Sequence, residues 1–339
     1  MLRSNLPAFY SIYFWITQFV RHGNTRRSFA LSIPFKLTLN MAADTNADNR
    51  SYGTALAIHL WVLTKPRLSL LSVLTVLVGY LAALPEHSWP VFMALLLGAA
   101  LAAGGCAALN QGLEGRADAL MTRTRQRPVP LGAITAYTAC GYGAVLCITG
   151  DLVLALWANS HAAFFAILIQ VIYIYPYTTL KRRTPWNTEV GAVPGALPPL
   201  MGWAAAQAQN WGLAWILFGI LFTWQMPHFM ALAQQYRKDY ARAGFKMLSV
   251  TEPTGRAAGR KALGYTMLLL AFSLLPGFLG YTTAMYTAIA LILGLLFLVK
   301  AITFASQPCD DQKAQKLFLN SIIYLPLLLA ALTLDRCLL

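Results

Sequence analysis

The chain has 339 residues, 58% of them hydrophobic and only 11% charged, with a formal net charge of +14. A soluble globular domain carries about a quarter of its residues as charges, so this balance excludes one and leaves an all-α polytopic membrane protein.

Residues 1–43 hold five basic residues and no acid, with an apolar patch from Phe9 to Val20 that is too short and interrupted for a span. Three readings compete: a mitochondrial-style transit peptide, an amphipathic surface arm, or translated sequence upstream of a start at Met41. The ordinary polar stretch Ala42 to Ser51 favours the last. Residues 1–51 are therefore expected to be an N-terminal extension, poorly ordered or upstream of the start. Residues 52–339 are expected to be a single transmembrane domain, since no linker is long enough to divide them.

A hydrocarbon core about 30 Å thick needs roughly 20 apolar residues per helix. Nine runs meet or approach that length: Leu68 to Leu84, Val91 to Leu109, Gly132 to Trp157, Ala162 to Leu180, Val190 to Ala206, Leu213 to Ala233, Leu263 to Gly280, Ala284 to Phe304 and Leu317 to Leu334. The first is short and the third long. Alternating the loops between two sides puts 25 of the 26 Lys and Arg on one side, with Arg336 alone opposite. By the positive-inside rule the amino end and every basic loop are cytoplasmic. A cell inner membrane is the expected location, with the mitochondrial inner membrane as the alternative. Topology and anionic lipid head groups account for the positive charge without nucleic acid.

The long cytoplasmic loops follow the second and sixth spans, at about 22 and about 29 residues. Function is expected there. Five cysteines show no C-x-x-C pair and mostly fall inside apolar runs, so they read as small core residues.

Three clusters carry chemistry. Asn110, Glu114 and Asp118 recur every four residues, which in a helix keeps them within about 80° of rotation and about 12 Å of rise. Two carboxylates and an amide suit Mg²⁺, which takes few protein oxygens and fills its other sites with water and phosphate. Arg123 and Arg127 follow, placed to take the anionic oxygens such a metal bridges. The competing reading is a solvated loop whose charges pair at the surface. Asn110 and Glu114 adjoin an apolar helix end, where unpaired polar groups are costly.

The second cluster runs from Tyr175 to Asn187 and includes Lys181, Arg182 and Arg183. A basic triplet alone is a topology anchor. Thr184, Asn187 and the Gly/Pro-rich stretch from Gly191 to Gly202 argue further that the fifth span borders a pocket, because breakers are tolerated where backbone lines a cavity. The third cluster is Trp224 to Phe229, with Pro227 and His228, followed by Tyr236 to Gly244 with Asp239. His228 is the only histidine inside the nine runs. An interfacial hydrogen bonder, an axial ligand to haem iron and a proton carrier all remain open for it. Asp239 either pairs with Arg237, Lys238 and Arg242 or forms a second metal site.

Acidic and basic clusters above an apolar bundle suit a substrate with a diphosphate head and a long hydrocarbon tail. Metal and guanidinium would stabilise the charge developing on the leaving group. The tail would lie among aromatic and aliphatic side chains that shield an allylic cation from water.

At these residues the chain resembles the UbiA-type intramembrane prenyltransferases, and within them the haem-farnesylating branch. Lys65-Pro-Arg67 looks like the family's opening motif. The pattern from Asn110 through Glu114, Asp118, Met121, Arg123, Thr124 and Arg127 to Pro128 looks like its first metal motif. Lys181 to Asn187 looks like the next, and Trp224 to Phe229 with Asp239 to Gly244 like the last. The match spans Leu63 to about Leu334. It implies a nine-helix bundle and transfer of farnesyl from farnesyl diphosphate to a vinyl group of haem B, with water, giving haem O. Mg²⁺ would be held by Asn110, Glu114, Asp118 and Asp239. Arg123, Arg127, Lys181, Arg182 and Asn187 would bind diphosphate, and His228 would contact haem. Membrane lipids and haem-handling membrane proteins are the further expected partners.

Glu114 stands where the general pattern has Asp, Arg116 where it is often acidic, and Gln235 where the wider group has an acid. Lys246 replaces a usual Pro. These departures bear on how many metal ions bind rather than on the first site. Two other functions are consistent with the chain: a family member acting on an aromatic or quinone precursor, and a transporter of an anionic lipid or metabolite. Transporters commonly show helix breakers in matching halves, whereas here the breakers concentrate in the fifth and sixth runs.

Overall fold

The computed structural model describes residues 45–84 and 88–338, with side chains from residue 53 onward. The segment up to residue 44, including Met41 and the Phe9 to Val20 patch, lies outside the described residues; from Thr45 the chain is helical. Helix is the only regular secondary structure among the described residues, and residues 51–339 form one compact unit. The helices are α1 (Thr45–Leu63), α2 (Pro66–Ala82), α3 (Trp89–Leu120), α4 (Ala136–Val153), α5 (Ser160–Ile172), α6 (Asn187–Ala196), α7 (Pro198–Ala205), α8 (Gly212–Gln235), α9 (Arg237–Arg242), α10 (Arg256–Phe278), α11 (Ala284–Ser306) and α12 (Asp311–Leu338).

Among the described residues seven helices are long and apolar enough to cross a membrane, and α2 makes an eighth only together with Gly53–Leu63, across a 45° bend. Two expectations change here. The first run is a 17-residue helix joined to that bend. The fifth is divided into α6 and α7 at Leu197, because Pro198 and Pro199 lack the N–H groups that would continue the ladder. His228 stays the only histidine inside the nine runs; His161 lies in the first turn of α5, just before the fourth run, and His59 in α1.

The largest departure from the apolar pattern matters most for the site. The second run stops at Leu109, but α3 continues to Leu120 and reaches 32 residues. At 1.5 Å per residue that is about 48 Å, well beyond a hydrocarbon core of about 30 Å. Good helix formers such as Gln111, Leu113, Glu114 and Ala117 carry it on. The first half of the expected loop is therefore helix, and its acids are held rigidly.

Glycines set the close packing that fixes α3. Gly98, Gly105 and Gly112 lie seven apart; Gly98 faces Gly150 and Gly105 faces Gly143 of α4, while Gly112 lies against Cys140 of the same helix. A methyl group added at Gly105 would stand 2.7 Å from the Gly143 carbonyl oxygen, and one at Gly150 2.7 Å from that of Gly98. Membrane helices gain contact this way where no hydrophobic force separates helix from lipid. The same device seats α2 on α7, where a Cβ at Gly79 or Gly202 would come within 2.0 Å of a carbonyl oxygen on the other helix.

The main apolar core surrounds α8 and joins Leu217, Ile220, Tyr286, Phe297 and Tyr324, all fully or almost fully buried. A second centres on Val76, Leu95, Ala166 and Met201. Large apolar side chains such as Leu97, Ile148, Phe164, Leu296 and Leu327 point outward, a belt suited to lipid tails. Arg336 donates to the carbonyls of Ala82 and Tyr281 at the end where α2 and α10 finish, opposite the end reached by α3, α5 and α8.

Candidate active site

The three oxygen side chains of α3 lie on one buried face: Asn110 is 2% exposed, Glu114 6% and Asp118 1%. Each meets a cation from a different part of the chain. Lys65 Nζ donates to Asn110 Oδ1 at 3.1 Å. Lys181 Nζ donates to both oxygens of Glu114, at 2.8 and 3.0 Å. Arg127 Nη1 donates to Asp118 Oδ2 at 2.7 Å. A solvated surface loop is thereby replaced by a buried, paired cluster.

Local backbone features bring those cations in. Lys65 occupies the left-handed region at φ 45°, a strained state for a residue with a Cβ. It lies in the break between α1 and α2. Gln111 pins that break by donating to the Leu63 carbonyl at 2.7 Å. After α3 the chain turns back, with Thr124 Oγ1 donating to the Asp118 carbonyl at 2.8 Å, which aims Arg127 at the Asp118 carboxylate. Beyond α5 the helical span continues to Leu180 and includes Pro176, whose missing N–H loosens it before Lys181. Burial opposes the Lys181 ammonium, but neighbouring Tyr177 and Glu114 outweigh it and hold its pKa above that of free lysine.

Asp239, 8% exposed on α9, joins the same end. Its Oδ2 accepts from the backbone N–H of Arg123 at 3.4 Å and its Oδ1 from Arg242 Nη1 at 3.2 Å, while Arg242 also donates to Thr122 Oγ1. Arg123 stacks 5.2 Å above the Tyr236 ring. Ala117 and Met121 pack with Ala243 and Phe245, so the turn after α3 and the segment after α9 share an apolar floor. Lys181 lies 4.4 Å from the Tyr177 ring and 5.8 Å from that of Phe245. Its carbonyl accepts from the Lys246 N–H at 2.7 Å.

Arg182 is exposed at the head of this loop. Asn187 is fully buried, and its amide donates to the carbonyls of Thr184 and Lys246. That makes it a tie between two loops, with its donors already engaged.

His228 stands apart from the ion pairs. Its ring lies between Trp224 and Phe318, each 4.8 Å away, and its Nδ1 is 2.8 Å from Ser321 Oγ on α12. Sequence reasoning missed Ser321 and the contact of Lys65 with Asn110. It also missed a half-buried pair between Glu189 and Lys261, with Lys261 over the Trp186 ring. Lys65 was visible only as part of a motif.

Formally, Lys181 and Arg127 balance Glu114 and Asp118, and Arg123 with Arg242 exceed Asp239 by one positive charge; Lys65 adds a further charge when protonated, a state that its burial and the nearby Arg127 and Lys181 oppose. Such a cluster attracts an anion. Among the described residues no three His, Cys, Asp or Glu side chains form a metal cage. The donor set fits a hard divalent ion that arrives with phosphate oxygens and needs few protein ligands. The buried Nδ2 of Asn110 has no hydrogen-bond partner, and a phosphate oxygen would satisfy it.

A family model described as the UbiA prenyltransferase family matches residues 72–322. A protoheme IX farnesyltransferase from Opitutus terrae is 49% identical over 275 residues, covering 81% of this chain and 93% of the relative. Among solved structures, the fold is similar to one concerned with digeranylgeranylglyceryl phosphate synthase in membranes. Its TM-score is 0.72 at 18% identity, over 84% of this chain and 99% of that one. A UbiA homolog from Archaeoglobus fulgidus bound to GPP and Mg²⁺ has a TM-score of 0.57 at 13% identity, over 81% and 99%.

Proposed function

The chain belongs to the UbiA prenyltransferase family, and on that premise we propose that it transfers farnesyl from farnesyl diphosphate to a vinyl group of haem B. Water supplies a hydroxyl, and the products are haem O and diphosphate. The observation that carries the reading is the buried oxygen face of α3, met residue by residue by cations that converge from three other segments.

Lys181 and Arg127 would turn from their carboxylate partners, and Lys65 from the Asn110 amide oxygen, to the diphosphate oxygens, joined by Arg123 and Arg182 from the exposed edge. Asn110 would donate its free amide N–H to one of those oxygens. Asn187 would act indirectly, by keeping the Lys181 loop against Lys246. Glu114 and Asp118, with the Asn110 amide and Asp239, would hold Mg²⁺, which supplies charge neutralisation of the departing diphosphate. The guanidinium and ammonium groups stabilise the same leaving group as the carbon to oxygen bond breaks. The allylic cation is then taken by the vinyl group, and water adds to the carbon next to the porphyrin ring, releasing a proton.

His228 would contact the acceptor. It lies seven residues before the end of α8 and Asn110 ten before the end of α3, about 10 and about 15 Å along their own helices from those ends.

The protein is a multi-pass membrane enzyme. Counting the divided α6–α7 segment and α2 as crossings gives nine, with the basic face and amino end cytoplasmic in a cell inner membrane. Lipids bind the basic loops, and haem-handling membrane proteins would deliver the acceptor.

Incubating the purified full chain with haem B, farnesyl diphosphate and Mg²⁺ should yield a porphyrin heavier by one farnesyl group and one hydroxyl. Unchanged porphyrin, alongside prenylation of an aromatic acid or quinone precursor, would instead assign the family's other acceptor class.

A further inference from the structure

We propose that Ser321 is a positioning residue for the acceptor, fixing His228 as the tautomer whose Nε2 lone pair faces the porphyrin iron. The inference rests on the reading of haem as acceptor given above.

The hydrogen-bond geometry leaves one tautomer. A serine hydroxyl has a single hydrogen, and that of Ser321 donates to the Phe318 carbonyl at 2.6 Å. Only its lone pairs remain for His228 Nδ1 at 2.8 Å, so Nδ1 carries the hydrogen. A neutral imidazole protonated at Nδ1 has its lone pair on Nε2. Nε2 has no hydrogen-bond partner among the described residues.

The ring is also held in place. Trp224 and Phe318 cover its two faces at interplanar angles of 26° and 32°. The Trp224 indole N–H donates to the Ser321 carbonyl at 2.8 Å, so one residue of α12 anchors both the histidine and its stacking partner. Ser321 is itself completely buried. A third aromatic ring would fill the gap between Trp224 and Phe318 without burying a hydroxyl and an imidazole, which cost free energy unless paired. A histidine whose second nitrogen is tied to a fixed acceptor is the arrangement that orients a metal ligand and raises its basicity.

The test uses the full chain in detergent. Haem B is titrated by absorbance, and the iron–histidine stretch of the ferrous complex is recorded by resonance Raman. Ser321→Ala should weaken haem binding about 10–100-fold and lower the stretching frequency, with farnesyl diphosphate affinity unchanged as the check on folding. Ser321→Thr should restore both. Ser321→Cys, a poorer acceptor of similar volume, supplies the same comparison should the alanine variant fail to fold. Wild-type haem affinity and an unshifted stretch in Ser321→Ala, with both lost in His228→Ala, would overturn the role of Ser321 alone. A wild-type spectrum in His228→Ala would overturn the histidine ligand and this inference with it.

Discussion

Buried carboxylates occur at both ends of the bundle, and they are satisfied in different ways. At the basic end, Glu114 and Asp118 accept from the tips of Lys181 and Arg127. At the far end, Asp335, 2% exposed, accepts from the backbone N–H of Thr283 at 2.8 Å and from the Thr283 hydroxyl. Its neighbour Arg336 uses its donors on the carbonyls of Ala82 and Tyr281. A backbone donor cannot move to another acceptor, whereas a long cationic side chain can. The far end is a latch that closes α12 on α2 and α11, and the near end is a set of exchangeable pairs ready for an anionic ligand.

The widest separation between the two ends should come from Asp118→Ala. It removes a proposed metal ligand and releases Arg127, so turnover should fall by about 10³-fold, as for loss of a central electrostatic group. The protein should still insert and run as a single species in detergent. Diphosphate release measured beside size-exclusion chromatography checks both, and near-normal turnover would remove Asp118 from the metal site.

Lys181→Met sharpens the comparison at the level of one pair. Turnover should fall by about 10²-fold, with weaker farnesyl diphosphate binding. The substitution also leaves Glu114 buried without its cation, a loss of about 3–5 kcal/mol for a buried pair. Adding Glu114→Gln should restore thermal stability and leave turnover low. If the double variant regains activity together with stability, the pair is structural, like the far end.

Much of this contrast could be read before any coordinates. The four-residue spacing of Asn110, Glu114 and Asp118 places them on one helix face whatever the tertiary fold, and the charge alternation puts Arg336 opposite the rest. What could not be read depends on backbone states that a hydropathy pattern does not encode. Lys65 reaches Asn110 only because it adopts a left-handed conformation at a 45° bend. The division of the fifth run at Leu197 follows from two prolines whose effect on a span depends on what packs around them. The extension of α3 past Leu109 is a third case: polar residues read as loop continue as helix because Lys65, Lys181 and Arg127 meet them from other segments.

The latch itself offers the smallest and most selective effect. Asp335→Ala deletes the acceptor for the Thr283 N–H and hydroxyl, and leaving such donors unsatisfied costs about 1–3 kcal/mol. The loss falls where α11 begins, at Thr283, and where α12 ends, far from every group assigned to diphosphate or acceptor. Thermal aggregation in detergent should therefore begin at a lower temperature, while turnover per folded molecule, assayed below that temperature, should match the wild type. A variant of Asp335 that loses turnover with unchanged stability would mean that the two ends are coupled through α12, which also carries Ser321, and that the far end is part of the acceptor site.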